Sequence, residues 1–262
     1  MPTPYQEEFV EVAGAKIQLL KGGQGDPLVL FHSIEGSLGW RRYHDQLAEQ
    51  CTVYAPTLPG FGASERPDWV ESFFDLARFS LWLVQALGLE KTALGGHFIG
   101  GWLAAEMAVM SPQLIDRLIL VDAAGIQPQQ GEITDIFLHG LEGTRQLTYF
   151  EPKNVPEYDE LFGRKPSREE RTILTQNQET VVRYCWKPYM YDRSLPYLLS
   201  RLNIPTLVVW GRDDRIVPLE CGQRYQQAIP GARLEVLPEC GNCPPLEKPD
   251  AFSQLVGEFV HA

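Results

Sequence analysis

The stretch TALGGHFIGGWLAAEMA, residues 92–108, decides the fold. It opens as a short apolar run, crosses Gly95, Gly96, Gly100 and Gly101, and goes on with the apolar spacing of a helix. A strand that turns sharply into a helix needs glycines at such places, because a Cβ would block the close approach of the two backbones. Short apolar runs of the same kind occur at Pro27–His32, Cys51–Pro56, Arg117–Asp122, Pro205–Gly211 and Arg233–Pro238, the pattern of strands buried on both faces. Helical spacing fills 39–50, 72–88, 99–110, 219–229 and 249–261. The alternation predicts an α/β fold with a doubly wound, mostly parallel sheet. Residues 7–20 read as a hairpin leading into it, with Phe9, Val10 and Val12 before Gly14 and Ile17, Leu19 and Leu20 after it.

The rhythm breaks between 125 and 200, a stretch rich in aromatic and charged residues. The expected organisation is a core of residues 1–124 and 201–262 with a mostly helical cap, 125–200, over the carboxyl edge of the sheet. Composition fits one globular core. Of 262 residues, 44% are hydrophobic and 22% charged, and no low-complexity linker or internal repeat divides them. The net charge of -11, with scattered basic residues, excludes a nucleic-acid partner. Met1–Glu8 is polar and acidic, and no run of about 18 apolar residues occurs, so neither a membrane partner nor export is expected and the location reads as cytoplasmic. Nothing in the sequence sets the oligomeric state.

Five cysteines, Cys51, Cys185, Cys221, Cys240 and Cys243, are an odd number without framework spacing, which predicts reduced thiols. Cys240 and Cys243 form a CxxC pair, which raises a redox or metal alternative with His32 and His97 as further ligands. Zinc needs four ligands at tetrahedral distances, and the histidines are expected to point elsewhere, so the default is two thiols in a Gly/Pro-rich loop, with no metal and no cofactor.

Four landmarks carry a more specific message: LFHSIEGSLGW (30–40), PTLPGFGASERP (56–67), GGHFIGGWLAAEMA (95–108), and VVWGRDDRIVP (208–218) followed by ECGNCPPLEKPDAF (239–252). In this order and spacing the chain resembles the α/β-hydrolase superfamily, with esterase-like and carbon–carbon-bond hydrolase relatives, over nearly its whole length. The resemblance implies a G-x-S-x-G elbow that lifts a serine above the sheet. Here the elbow is Gly96-His97-Phe98-Ile99-Gly100, so Phe98 stands at the nucleophile position and cannot form an acyl-enzyme. The family's acid aligns with Asp214, beside Asp213, and is retained. The family's histidine aligns with Asn242, whose amide is no general base near neutral pH. By the same resemblance the oxyanion donors are the backbone N–H groups of Ile99 and of Ser33 or Ile34, with Ser33 replacing the usual glycine.

Each candidate has a plain reading beside its functional one. Phe98 is either an apolar plug in a degenerate site or an aromatic wall of a repurposed pocket. His97 reads as a hydrogen-bonded core histidine, and His32 as a residue that ties down its own loop rather than a catalytic base. Glu35 is a candidate base if desolvated, though exposure at the cleft rim is the expected state. Gly60–Ser64 reads as a fold-maintaining turn. Trp40, Trp102, Phe137, Tyr149, Tyr184, Trp186 and Tyr189 are candidates for a pocket wall, with core packing as the plainer role.

Two function classes follow. The first is a non-hydrolytic binder of a small, largely apolar or aromatic carbonyl compound. The second is an enzyme of altered chemistry, a cofactor-free lyase, isomerase or cyclase using Glu35, His32 or Asp214 with the oxyanion donors. Ordinary ester or carbon–carbon-bond hydrolysis comes third. The expected pocket lies between cap and sheet, lined by Ser33, Glu35, Phe98, Ile99 and residues near Asn242.

Overall fold

The computed structural model describes residues 4–262. Met1–Thr3, the start of the segment read as lacking an export signal, lie outside the described residues. The chain runs β1 (Tyr5–Val12), β2 (Ala15–Gly22), β3 (Pro27–Phe31), α1 (Arg42–Ala48), β4 (Thr52–Pro56), α2 (Phe73–Ala86), β5 (Thr92–His97), α3 (Ile99–Met110) and β6 (Ile115–Val121). An insertion then carries α4 (Gly140–Thr148), α5 (Tyr158–Phe162), α6 (Arg168–Cys185) and α7 (Leu195–Leu199). The core resumes with β7 (Thr206–Gly211), α8 (Leu219–Ala228), β8 (Arg233–Leu237), α9 (Pro244–Glu247) and α10 (Pro249–Val260).

The eight strands form one sheet in the order β1-β2-β4-β3-β5-β6-β7-β8. The hairpin strands β1 and β2 pair antiparallel, β2 pairs antiparallel with β4, and the other pairs are parallel. Apolar side chains cover both faces of the parallel part, which is why its strands read as continuous apolar runs. On one face Leu76, Leu103 and Tyr225 pack with Val29, Leu94 and Val208. On the other, Leu47, Phe252 and Val256 of α1 and α10 pack with Leu28, Val53 and Val209. Among the described residues, no helix is long and apolar enough to cross a membrane.

α1 is shorter than the expected 39–50. Gly39 sits at φ +81°, and Arg41 caps the helix by donating its N–H to His44 Nδ1 at 3.0 Å. Residues 32–41 therefore remain a loop above the end of β3. α9, a single turn after Cys243, was not foreseen, because Pro244 and Pro245 read as turn residues although proline suits the first turn of a helix.

The insertion closes down on the loops after β3 and β4. Asn177 on α6 donates to the Glu35 carbonyl at 2.7 Å and accepts from the Gly62 N–H at 3.0 Å. Thr180 and Tyr184 donate to the carbonyls of Gly60 and Pro59. The Gly60–Ser64 turn is thus clamped from above.

At the end of β5 the backbone enters α3 through Phe98, at φ 54° and ψ −107°. The bonds Phe98 N–H to Val121 O (2.9 Å) and Ala124 N–H to Phe98 O (3.2 Å) hold that turn against the end of β6. A Cβ on Gly96 would lie 2.4 Å from the Gly100 carbonyl carbon, and one on Gly100 would lie 2.4 Å from the Phe31 oxygen. Both contacts are with backbone, which has no rotamer to yield. Gly100→Ala is accordingly expected to cost at least about 2 kcal/mol in a urea unfolding experiment, in the overpacking range. A loss below about half that value would show that the elbow has more room than this geometry allows.

Candidate functional site

The turn from β5 into α3 carries Phe98 at its apex, a side chain with no nucleophilic atom. Phe98 is fully buried, with its side chain in the apolar core that includes Phe61, Trp102, Val181 and Ile99. A positive φ in a bulky residue costs about 1–3 kcal/mol and persists only where packing holds it. Burial of the ring supplies that packing. Ile99 opens α3, so its N–H belongs to the first turn and has no acceptor within the helix. The close approach of Gly100 to the carbonyls of Phe31 and His32 puts this turn beside the Ser33–Ile34 loop.

Asp214 lies just after β7, and the Asn242 amide reaches it, donating from Nδ2 to Oδ2 at 2.8 Å. The other carboxyl oxygen accepts the N–H groups of Ile216 and Val217 at 2.8 and 2.9 Å. Burial still dominates and pushes its pKa up to about 7, with the three donors opposing. Asp122, at the end of β6 with φ 42°, is buried nearby; its Oδ1 accepts from Gly211 N–H and its Oδ2 has no partner. Burial first, and the Asp214 charge second, hold Asp122 well above the usual carboxylate range. Asp122, with one donor against three, is the member of the pair that keeps a proton. Glu247 completes the buried acids and accepts N–H donors from Phe150, Gly241 and Cys243.

His97 donates its Nε2–H to the backbone carbonyl of Asn242. Desolvation holds it neutral, with a pKa of about 4. His32 is also neutral, at about 4 for the same reason, and both ring nitrogens are engaged: Nδ1–H donates to Ser33 O at 2.6 Å and Nε2 accepts from Leu58 N–H at 2.9 Å. Both ring nitrogens are thus spent on holding the loops after β3 and β4. Glu35 is not at an exposed rim. Its side chain is 17% exposed and pairs with Arg145 of α4 at 3.3 Å, while Arg145 itself covers the Phe162 ring at 4.2 Å. Burial raises the Glu35 pKa and the guanidinium opposes that rise.

Two small cavities border the loop after β3. One, about 70 Å³, lies under the Ser33–Arg41 loop and is lined by Ser33, Glu35, Arg41, His97, Asn242 and Cys243 among others. The second, about 30 Å³, lies between Ile34, Glu35 and the insertion residues Phe137, Leu141 and Asn177. Ser33, Glu35 and Asn242 thus meet around space as expected, but Phe98 and Ile99 line neither cavity. The pocket is displaced because the Phe98 ring packs into the core. Of the candidate wall aromatics, Trp40, Trp102, Tyr149 and Tyr184 are buried, Phe137 lines the smaller cavity, and Trp186 and Tyr189 line a groove on the outer surface.

All five cysteines are buried free thiols, and burial raises the pKa of Cys240 and Cys243 further from thiolate chemistry. Among the described residues no three His, Cys, Asp or Glu side chains gather in a way that could hold a metal ion. Sequence reading missed Asp122, Arg145, Asn177 and Glu247. A polar residue closing the apolar run of β6 was the available signal for Asp122, whereas Arg145 and Asn177 sit on insertion helices with no motif.

The buried acids give a pH dependence with a definite sign. A carboxyl group whose pKa is raised on folding stabilises the fold fully below the unfolded value near 4, and this contribution is lost as pH rises through the folded value. Asp214 titrates near 7 in the fold, as does Glu106, buried on α3 where it accepts from Trp102 Nε1, and Asp122 is raised too. The buried His32, His44 and His97, held at 3 to 4, oppose this trend until the pH has passed their unfolded value near 6.5 by about a unit. The melting temperature should fall between pH 7 and 8.5, and Asp122→Asn should lessen that fall. A flat profile in the wild-type chain would contradict the assignment of a proton to this cluster.

The model of the family described as alpha/beta hydrolase fold matches residues 26–249. The chain is 28% identical to the 2-hydroxy-6-oxononadienedioate/2-hydroxy-6-oxononatrienedioate hydrolase of a Pseudomonas species, over 97% of this chain and 96% of that protein. It is 29% identical to the 2-hydroxy-6-oxo-6-phenylhexa-2,4-dienoate hydrolase of Burkholderia cepacia, over 94% and 91%. The solved structure of the 2-hydroxy-6-oxo-6-phenylhexa-2,4-dienoate hydrolase from Rhodococcus sp. strain RHA1 superposes with a TM-score of 0.79 at 26% identity, covering 99% of this chain and all of that one. On the match of sheet, elbow and order of elements, the chain belongs to the α/β-hydrolase fold family.

Proposed function

We propose that this protein is a non-hydrolytic member of its family that binds a small carbonyl compound without cleaving it. One observation carries the reading: the elbow holds a buried phenylalanine where a nucleophile must stand, at φ 54°. The Asn242 amide spends its hydrogen bond on Asp214, so the orienting acid has no base to orient. The relatives' printed activities, hydrolysis of oxo-dienoates, support a carbonyl ligand and do not extend to the chemistry, because that chemistry in this fold runs through the two side chains that are replaced.

Size refines the ligand class. An apolar cavity of about 150 Å³ holds benzene. The larger of the two cavities here is about half that, which favours a short-chain carbonyl compound over an aromatic one. Donors stand around it, including the Arg41 Nε, buried without a partner. In this reading the 125–200 insertion acts as a cap that keeps the space dry.

A second reading keeps an enzyme of altered chemistry. It rests on Glu35, the candidate carboxylate that borders both cavities and whose pKa burial raises. Hydrolysis as in the relatives would need a nucleophile from elsewhere in the site.

The purified chain should leave 2-hydroxy-6-oxo-2,4-heptadienoate uncleaved above background in an absorbance assay and should give saturable binding of butan-2-one in ligand-observed NMR. Ser33→Trp, which fills the larger cavity, should abolish that binding. Measurable cleavage would overturn the non-hydrolytic reading, and absence of binding would overturn the ligand class. Turnover lost in Glu35→Gln would move the assignment to the second reading.

A further inference from the structure

On the outer face of the insertion lies a groove of about 420 Å³, lined by none of the elbow residues 96–100, whose walls include Trp186, Tyr189, Tyr191 and Leu138 together with the acids Glu132 and Asp135. No lysine or arginine lines it. Trp186 is 50% exposed and Leu138 79%, so both present apolar surface to the groove's open side.

The walls are fixed rather than loose. Trp186 and Tyr189 meet edge to face, with ring centroids 6.0 Å apart and planes at 83°, and Phe137 supports both from behind at 5.5 and 6.2 Å. The Tyr189 hydroxyl donates to Thr134 O at 2.8 Å and accepts from Ile136 N–H at 3.0 Å, which pins the ring. Tyr191 is held through its neighbours, since Gly125 N–H donates to Met190 O and Asp192 N–H donates to Gly125 O. Asp135 is oriented by accepting the Phe137 N–H at 3.0 Å on Oδ1.

Aromatic faces with carboxylates at their edge are the chemistry that recognises an organic cation. The ring quadrupoles attract a positive charge that is poorly hydrated, and the carboxylates add Coulombic attraction without demanding hydrogen-bond donors. A neutral apolar ligand would use the rings and gain nothing from the acids, and an anion would be repelled by both. We infer that this groove is a binding site for a small quaternary ammonium compound, separate from the elbow and independent of how the elbow is read. Preformed walls mean that little ordering entropy opposes binding.

The test is a calorimetric titration of the full chain with choline and with its uncharged isostere, 3,3-dimethylbutan-1-ol. Choline should bind saturably in the millimolar range or tighter, and the alcohol about tenfold more weakly, the scale of a cation–π contribution. Trp186→Ala and Glu132→Gln, both at exposed positions, should each weaken choline about three- to tenfold with little change in melting temperature. Equal affinity for choline and the alcohol would reduce the site to an apolar groove and overturn the proposal. So would the absence of saturable heat, or choline binding that Trp186→Ala and Glu132→Gln leave unchanged, which would place the cation elsewhere.

Discussion

The structure depends on one close approach, that of β5 and β3 to the first turn of α3. At Gly96 and Gly100 the backbones come so near that a Cβ would overlap a carbonyl group, and residue 98 must then take a positive φ to connect strand to helix. The same approach puts the N–H groups of the first turn of α3 beside the loop after β3, and the ends of β6 and β7 beside Asp122 and Asp214. A hydrolase of this fold uses that strained turn to expose a hydroxyl. Here the strain is retained and the exposed group is not, so the packing of the Phe98 ring must hold the backbone in place.

The buried Asp214 and Asp122 pose an electrostatic problem that the neighbouring groups solve. A buried carboxylate without a donor is costly. Asp214 receives three donors, including the Asn242 amide, and the proton shared in this cluster falls to Asp122, whose second oxygen has no partner. His97, neutral and bonded to the Asn242 carbonyl, fixes the same segment from the other side. Asn242 thus serves Asp214 as a donor while its own carbonyl is held by His97. The ion pair of Glu35 with Arg145, and the clamp of Asn177 on Glu35 O and Gly62 N–H, close the remaining space from above.

Much of this was legible in the sequence, and the reasons are physical. Strands buried on both faces leave continuous apolar runs, so six of them were located to within a residue or two. The elbow glycines stand where no other residue fits, which made positions 96 and 100 readable. What failed was the prediction of where space remains. Whether the Phe98 ring points into a cleft or into the core is a packing outcome with no local signature, and Glu35 was read as exposed because its partner, Arg145, is 110 residues away on a helix without a motif. The start of α1 shifted because the capping by Arg41 and His44 competes with apolar spacing that begins earlier.

The proposed non-hydrolytic reading rests on two side chains, Phe98 and Asn242, standing where hydrolysis in this fold would need a nucleophile and its base. Labelling by a fluorophosphonate probe measures this most directly in the set Phe98→Ser, Asn242→His and the double variant, each checked for folding. Members of a catalytic unit act together, so one restored without its partner gains little. The account predicts labelling of residue 98 in the double variant at least about a hundredfold faster than in Phe98→Ser alone, in the range a positioned general base contributes. Equally fast labelling of Phe98→Ser would contradict it, because another base would then already face the elbow.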